Sequence, residues 1–510
     1  MRILIALCLL VGCASSTKER LIDGDLAPDK NYCKALKPTK RPGLSQALKP
    51  LEDKMKTMTG TWVLEEGASA MVSRAWLAEN AEKSIDVQYF IFSADNVGLI
   101  GIDYLVRAAS RGVKVRLLID DLLYDSDVNL LQALDAHPNL EIKVYNPNLT
   151  TGKNLSSVML NAMLDFRAVN QRMHNKTFIV DGKVVITGGR NIADEYFDFN
   201  QEYNFRDRDV LLLGGAASQV QKSFNQFWSH SLSGTVSMLM GKANVSEAER
   251  LWENLKRFAC NPDNFWPSVR ERIEAVPQVF QGLVAAGHLK WVEDLEFVSD
   301  DPGKNSGDQG LGGGGLSTSK LIELVETATK SVMIQTPYLV TTELSENLFA
   351  AAVKRGVEVT ILTNSLGSTD GYAPFRGYQR SRPRLLKAGV KIYEFRPDAK
   401  VREKLMSSSL MKTVDNLPVF GLHAKTMVVD EKLLVVGTFN IDPRSANLNT
   451  ECIVVIPSKE LANNVLERMR EEIKPENAYQ VTKDHNGDAE APWTIRFKTW
   501  MSSLVPAAIL

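Results

Sequence analysis

His174-Asn175-Lys176-Thr177-Phe178-Ile179-Val180-Asp181, followed after six residues by Gly188-Gly189-Arg190-Asn191, is the stretch from which the fold can be read. It occurs twice. His423-Ala424-Lys425-Thr426-Met427-Val428-Val429-Asp430 repeats it, again with six residues before Gly437-Thr438-Phe439-Asn440. Between His and Asp the apolar runs Phe178-Ile179-Val180 and Met427-Val428-Val429 read as short buried strands. Side chains alternate faces along a strand, so a His and a Lys two apart point the same way. An imidazole and an ammonium therefore stand side by side at one strand edge, once in each copy.

The flanking segments repeat as well. The strand at 84–90 is answered at 331–335, the turn and strand at 111–120 by 355–362, and Ile142–Tyr145 by 390–393. The offsets are 247, 244 and 248, with 249 at the histidines. A period this long means two lobes rather than a solenoid. Alternating strands and helices make each lobe an α/β layer structure. Only apposition of the lobes can build one site from two His-Lys pairs. Glu202 follows His174 by 28 residues and Glu451 follows His423 by 28. That shared spacing predicts that each carboxylate orients an imidazole, fixing its tautomer and raising the basicity of the other nitrogen.

Two His, two Lys and two Asn (Asn191 and Asn440), with no cluster of acidic ligands, suit an anion rather than a metal. Ammonium and amide groups donate to phosphate oxygens and stabilise the charge of a five-coordinate transition state. One His can attack phosphorus while the other protonates the leaving oxygen. Asp181 and Asp430 end their strands and brace turns.

At 510 residues the chain calls for two or more domains, and a net charge of −1 provides no global electrostatic footprint for nucleic acid. Arg2, the apolar run Ile3 to Leu10 and Leu10-Val11-Gly12-Cys13 make a leader too short to span a bilayer. Small residues before Cys13 resemble a bacterial lipobox, with a plain secretory signal as the alternative. Residues 1–13 are thus the leader, 14–60 a tether and 61–230 the first lobe. A helical insertion with a Gly-rich linker, the run Gly312 to Gly315 being a mobile loop, follows at 231–315. The second lobe is 316–475. In the last segment, 476–510, the stretch from Trp493 either lies in a membrane interface or packs on the body. Cys33, Cys260 and Cys452 match no zinc spacing, and Cys452 reads as a packed core thiol.

The duplicated motif resembles the phospholipase D superfamily, whose signature is HxK, four residues, D, six residues, G-[ST]-x-N. Copy two fits throughout; copy one has Gly189 at the Ser/Thr position, which removes a hydroxyl near the phosphate and leaves a backbone N–H in its place. Gln171-Arg172-Met173, Gly188 to Tyr196 and Asn440 to Glu451 look like the bacterial cardiolipin synthases. Thr363 to Leu366, Gly371-Tyr372-Ala373 and Arg376 look like their C type. The resemblance implies two mixed β-sheets flanked by helices, related by a pseudo-twofold axis, with one active site at the interface. It implies a metal-independent phosphatidyltransferase without cofactor, with His174 the nucleophile and His423 the acid and then base. Lys176, Lys425, Asn191 and Asn440 would hold the phosphoryl group. The acceptor would be a phosphatidylglycerol hydroxyl, and the donor phosphatidylglycerol or phosphatidylethanolamine. Tyr372, Arg376, Arg380 and Arg444 are candidates for the second headgroup, although Arg380 reads better as a solvated charge. Hydrolysis by a phospholipase D is the competing reading, and a nuclease would need a basic groove. With Ala14 after Cys13, the leader resembles those of lipoproteins anchored at the periplasmic face of the outer membrane.

Overall fold

The computed structural model describes residues 43–123, 128–147, 167, 170–261, 289–406 and 417–502. Cys13 with its leader, Cys33 and the tether up to residue 42 lie outside the described residues. The chain is already folded by Gly43. Leu44 and Leu48 are fully buried in the first lobe's core, so the stretch up to 60 is not all tether.

The first lobe runs β1 (Thr59–Leu64), α1 (Gly67–Asn80), β2 (Ser84–Ile91), α2 (Asn96–Ser110), β3 (Lys114–Leu123) and β4 (Leu140–Tyr145). It continues with β5 (Thr177–Val180), β6 (Val184–Gly188), β7 (Tyr203–Arg206), β8 (Asp209–Gly214), α3 (Ala217–Ser229), β9 (Ser233–Thr235) and β10 (Lys290–Val292). Its nine-stranded sheet has the order β10-β1-β8-β6-β5-β2-β3-β4-β9. The second lobe runs β11 (Glu296–Ser299), α4 (Leu316–Thr327), β12 (Ser331–Gln335), α5 (Glu343–Lys354), β13 (Glu358–Asn364), α6 (Tyr372–Lys387) and β14 (Lys391–Phe395). Then come β15 (Val419–Leu422), β16 (Thr426–Val429), β17 (Leu433–Gly437), β18 (Cys452–Pro457), α7 (Lys459–Glu472), β19 (Ala478–Gln480) and α8 (Trp493–Met501). Its eight-stranded sheet is ordered β11-β18-β17-β16-β12-β13-β14-β19. In both sheets the motif strand, β5 or β16, pairs antiparallel with β2 or β12, which in turn starts a parallel run of three.

The region 231–315 is less purely helical than its composition suggests. It holds a helix at Val245–Cys260, but its strands join the sheets: β9 and β10 edge the first, and β11 edges the second. The glycine run is tied down as well, since Gly314 N–H donates to Asn447 Oδ1 (3.1 Å). At the other end, α8 (Trp493–Met501) packs on the body along one side. Ile495 packs against the second lobe's core, while Trp493, Phe497 and Trp500 face outward. No helix among the described residues is long and apolar enough to cross a membrane.

Each lobe buries one face of its sheet under its own helices. A third apolar cluster belongs to both, with Phe224 and Phe227 of α3 and Leu466 and Met469 of α7 packed with residues of the two sheets. Beside it runs a buried ionic network. Arg206 Nε donates to Glu472 Oε1 (2.6 Å), and its Nη2 pairs with Glu65. Arg208 donates to Glu65 Oε1 (3.0 Å), Gln335 Oε1 (2.9 Å) and Thr426 Oγ1 (2.8 Å). Arginine suits such a place because its fork donates in several fixed directions at once. Removing one partner of a fully buried pair strands the other charge. Glu472→Ala should therefore lower stability by about 3–5 kcal/mol, read as a fall in the denaturation midpoint; a loss under about 1 kcal/mol would mean that Arg206 finds water instead.

Candidate active site

Each motif strand begins where the chain crosses to the other lobe. Strand β15 pairs in parallel with β7, from Val419 opposite Tyr203 to Leu422 opposite Arg206. In the pseudo-symmetric place, Met173 bridges Thr450. His423 N–H donates to the Arg206 carbonyl (2.8 Å) and His174 N–H to the Thr450 carbonyl (2.9 Å). The residue after each acceptor carries the carboxylate for that imidazole. His174 Nδ1 lies 2.8 Å from Glu451 Oε2, and His423 Nδ1 lies 2.6 Å from Asp207 Oδ2. Both histidines and both carboxylates are buried.

Glu451 is thus at an imidazole as its spacing predicted, although it serves the histidine of the other lobe. Glu202 is not. It is exposed, and only its backbone is engaged, at Asn200 Oδ1 and Val419 N. The reason is an insertion. Gly189 N–H bonds the Arg208 carbonyl as Thr438 N–H bonds the Cys452 carbonyl, which makes Asp207 the counterpart of Glu451. Eighteen residues separate Gly189 from Asp207, but thirteen separate Thr438 from Glu451. Counting from the histidines lands five residues short. Aligning the apolar strand Val210-Leu211-Leu212 on Val454-Val455-Ile456 would have found it.

Gly189 has a second correction attached. Its N–H is consumed by the sheet, and the Thr438 hydroxyl donates to Glu451, so neither is a phosphate donor. A Cβ on Gly189 would sit 2.1 Å from Asp207 Oδ1. Glycine is there because the carboxylate needs the space. The sequence also held no signal for Asp300, whose carboxylate accepts from Glu451 N–H (2.9 Å), Ser317 Oγ (2.7 Å) and the buried Lys304 ammonium (2.8 Å). The linker between the lobes therefore holds Glu451 by its backbone.

The lysines close the site. Lys176 Nζ donates to the His174 carbonyl (2.8 Å); Lys425 Nζ donates to the His423 carbonyl (2.6 Å) and lies within 2.9 Å of both ring nitrogens. Burial pushes Lys176 down to about 8 and Lys425 to about 7, the second helped by the Lys176 charge. Burial likewise lowers His423 to about 4 and His174 well below its usual value, each helped by the neighbouring ammoniums. The carboxylates differ. Burial takes Glu451 up to about 8 against the pull of Lys176. For Asp207 burial is outweighed by His423 and Lys425, and the carboxyl stays below its usual range.

Asp181 and Asp430 do not reach the site. Each accepts three consecutive backbone N–H groups, of Glu82 to Ser84 and of Thr329 to Ser331, and so locks the turn before β2 or β12. Asn191 uses its amide on Ile91 N–H (3.2 Å) and on the Tyr196 hydroxyl (2.9 Å), whose ring stands edge-on to His423. Asn440 Oδ1 is buried without a protein partner. Arg444 donates to Asn170 Oδ1 (3.1 Å), and its charge acts on His174. Tyr372 lies under the Lys498 ammonium, Arg376 donates to Gln379, and Arg380 is exposed on α6. Cys452 is a buried free thiol that burial raises to about 11. Among the described residues no three His, Cys, Asp or Glu side chains cluster as metal ligands.

The family described as Cardiolipin synthase, PLD-like domain matches residues 77–228 and 321–473. An uncharacterised protein of Helicobacter pylori strain J99 is 35% identical over 409 residues, covering 79% of this chain and 77% of its own. Cardiolipin synthase C of Escherichia coli K12 is 33% identical over 463 residues, 90% of this chain and 91% of its own. Among solved structures, phosphatidylserine synthase of Haemophilus influenzae Rd KW20 superposes with a TM-score of 0.57 over 91% of this chain and all of its own. At 15% identity that likeness speaks for the fold alone.

Asp207 and Glu202 can be told apart by mutation. Asp207→Asn should cost about 10–100-fold in kcat, the usual loss when an imidazole's orienting partner is removed. Glu202→Gln should change kcat by less than about twofold, as expected of an exposed side chain outside the site; the reverse pattern would restore the spacing argument.

Proposed function

Because the chain belongs to the cardiolipin synthase, phospholipase D-like family, we propose that it makes cardiolipin by moving a phosphatidyl group onto a phosphatidylglycerol hydroxyl. The observation that carries this reading is the set of two imidazole–carboxylate pairs with two buried ammoniums whose charges act on one another. Such charges destabilise each other until an anion lies between them. A phosphodiester is that anion. His174 Nε2 attacks phosphorus, the headgroup oxygen leaves with a proton from His423, and a phosphatidyl-histidine results. His423 then takes the proton of the acceptor hydroxyl, which attacks phosphorus and frees His174.

The two carboxylates support this division of roles. Asp207, held ionised, favours a proton on His423, whereas Glu451, raised to about 8, leaves His174 neutral. In the free site His423 is neutral too, and a bound phosphodiester offsets the Lys425 charge and raises its proton affinity. Lys176 and Lys425, with Asn440, hold the phosphoryl oxygens. The ammoniums supply the positive charge that the transition state requires. The proposed setting is the periplasmic face of a bacterial envelope, with Cys13 as the lipidated anchor and phospholipids as the partners. Hydrolysis to phosphatidic acid is the second reading, favoured only if water reaches the phosphatidyl-histidine before a lipid hydroxyl does.

Lipid mass spectrometry on the mature protein with phosphatidylglycerol, alone or mixed with phosphatidylethanolamine, tests the reaction. Cardiolipin should form with the intact protein and not with His174→Ala, and the lipid consumed names the donor. Phosphatidic acid without cardiolipin would mean hydrolysis, and no change in either lipid would end both readings. A pH profile is a separate check. Lysine pKa values lowered to about 7 and 8 mean that the ammoniums are present below that range and lost above it. kcat/KM, which reports the free enzyme, should therefore fall as pH rises from 7 to 9; a profile level to pH 9.5 would show that the lysines keep ordinary values near 10.4.

A further inference from the structure

The two lobes share a fissure between their outer helices and the sheet, and they fill it differently. In the first lobe Arg74 of α1 crosses it, donating to Asp209 Oδ2 (2.9 Å) and to the Tyr89 hydroxyl (3.0 Å), with its guanidinium 5.6 Å from the Phe197 ring centre. Arg190 approaches the same carboxylate at 3.5 Å. This ionic plug is buried throughout.

The repeat itself identifies the counterparts. Helices α1 and α4 both end before an alanine, Ala81 and Ala328, of matching backbone conformation, so Arg74 corresponds to Leu321. The paired carbonyls of Arg208 and Cys452 make Asp209 correspond to Ile453, and the motifs align Arg190 with Phe439. All three charges of the plug are thus replaced by apolar side chains. At the mouth, Ile100 is 4% exposed, whereas its counterpart Leu344, eleven residues before the helix-capping Arg355 as Ile100 is before the helix-capping Arg111, is 61% exposed. The first-lobe fissure encloses about 500 Å³ and the second about 870 Å³, part of each open to solvent. The second is lined by Leu321, Leu344 and Leu348 on the helices and by Thr426 and the catalytic Lys425 on the sheet.

We propose that this second-lobe cavity is an acyl-chain site, holding one fatty chain of a phospholipid whose phosphate lies against Lys425. The inference rests on the phosphatidyl-transfer reading and adds to it where the lipid tail goes. Its wall is apolar, from Leu321, Leu348 and Phe349 on the helices to Met427 and Ile453 on the sheet, and such a wall favours methylenes over water. The exposed Leu344 marks where the chain enters. It lies at the N terminus of α5, the end that follows β12 and therefore faces the catalytic end of the sheet. At that same end Tyr372 opens α6, with Lys498 of α8 over its ring, so the outward Phe497 and Trp500 stand close by. In the first lobe the Arg74–Asp209 pair closes the corresponding route, so one chain of one lipid is selected.

Photo-crosslinking tests the site without relying on turnover. The full chain is irradiated with phosphatidylglycerol vesicles whose lipid carries a diazirine at the acyl terminus, and adducts are mapped by mass spectrometry. Adducts on Leu321–Val325 and Leu344–Phe349 are expected; adducts only on α8, or none in these helices, would overturn the proposal. Ile322→Trp and Leu348→Trp, each checked for an unchanged melting temperature, provide the kinetic arm. The loss in kcat/KM should be at least tenfold greater for a dioleoyl than for a dihexanoyl donor. An equal loss for both chain lengths would overturn it. Failure of the transfer reading has a different signature, with no lipid of either length converted by the unsubstituted protein while the labelling pattern still stands or falls by itself.

Discussion

A backbone hydrogen bond across the lobe interface is the constraint from which the site follows. When His423 N–H bonds the Arg206 carbonyl, Asp207 is brought to the imidazole by chain connectivity; when His174 N–H bonds the Thr450 carbonyl, Glu451 is delivered the same way. Neither lobe can orient its own histidine. The interface is therefore not merely where two half-sites meet. It supplies the hydrogen-bond partner that each half lacks, and the buried Arg206–Glu472–Glu65 network and the shared apolar cluster hold that register.

Duplication supplied two copies of one geometry, and small departures made them unequal. Five added residues before β7 moved an aspartate into the place of a glutamate and required Gly189 beside it. The shorter carboxylate, close to Lys425 and His423, stays ionised, while Glu451 is raised by burial. A symmetric site would give both histidines the same partner; this one sets His423 against an ionised aspartate and His174 against a glutamate raised by burial.

The same divergence shows away from the chemistry. Arg74, Arg190 and Asp209 seal the first lobe's fissure, and Leu321, Phe439 and Ile453 leave its counterpart apolar and open at Leu344. Burying an ionic cluster is costly unless every partner is present, so the plug is a specific feature of one lobe rather than generic packing.

The sequence alone determined the duplication, the α/β class of each lobe and the identities of the His-Lys pairs, because those depend on local periodicity and on a repeat that spacing preserves. It also indicated that Asp181 and Asp430 brace turns, but which turns, those before β2 and β12 about a hundred residues away, was decided only by the pairing of the strands. Glu451 was legible by its spacing and Glu202 was misread by the same spacing, because a count along the chain cannot see an insertion that the sheet absorbs in a loop. The structure alone decided that Asp207 serves His423, that Asp300 and Lys304 secure Glu451, and that Gly189 is small for a distant carboxylate's sake. It also decided that the second fissure stays open. In each case the partners are far apart in sequence, and the fit between them exists only once the two sheets are packed together.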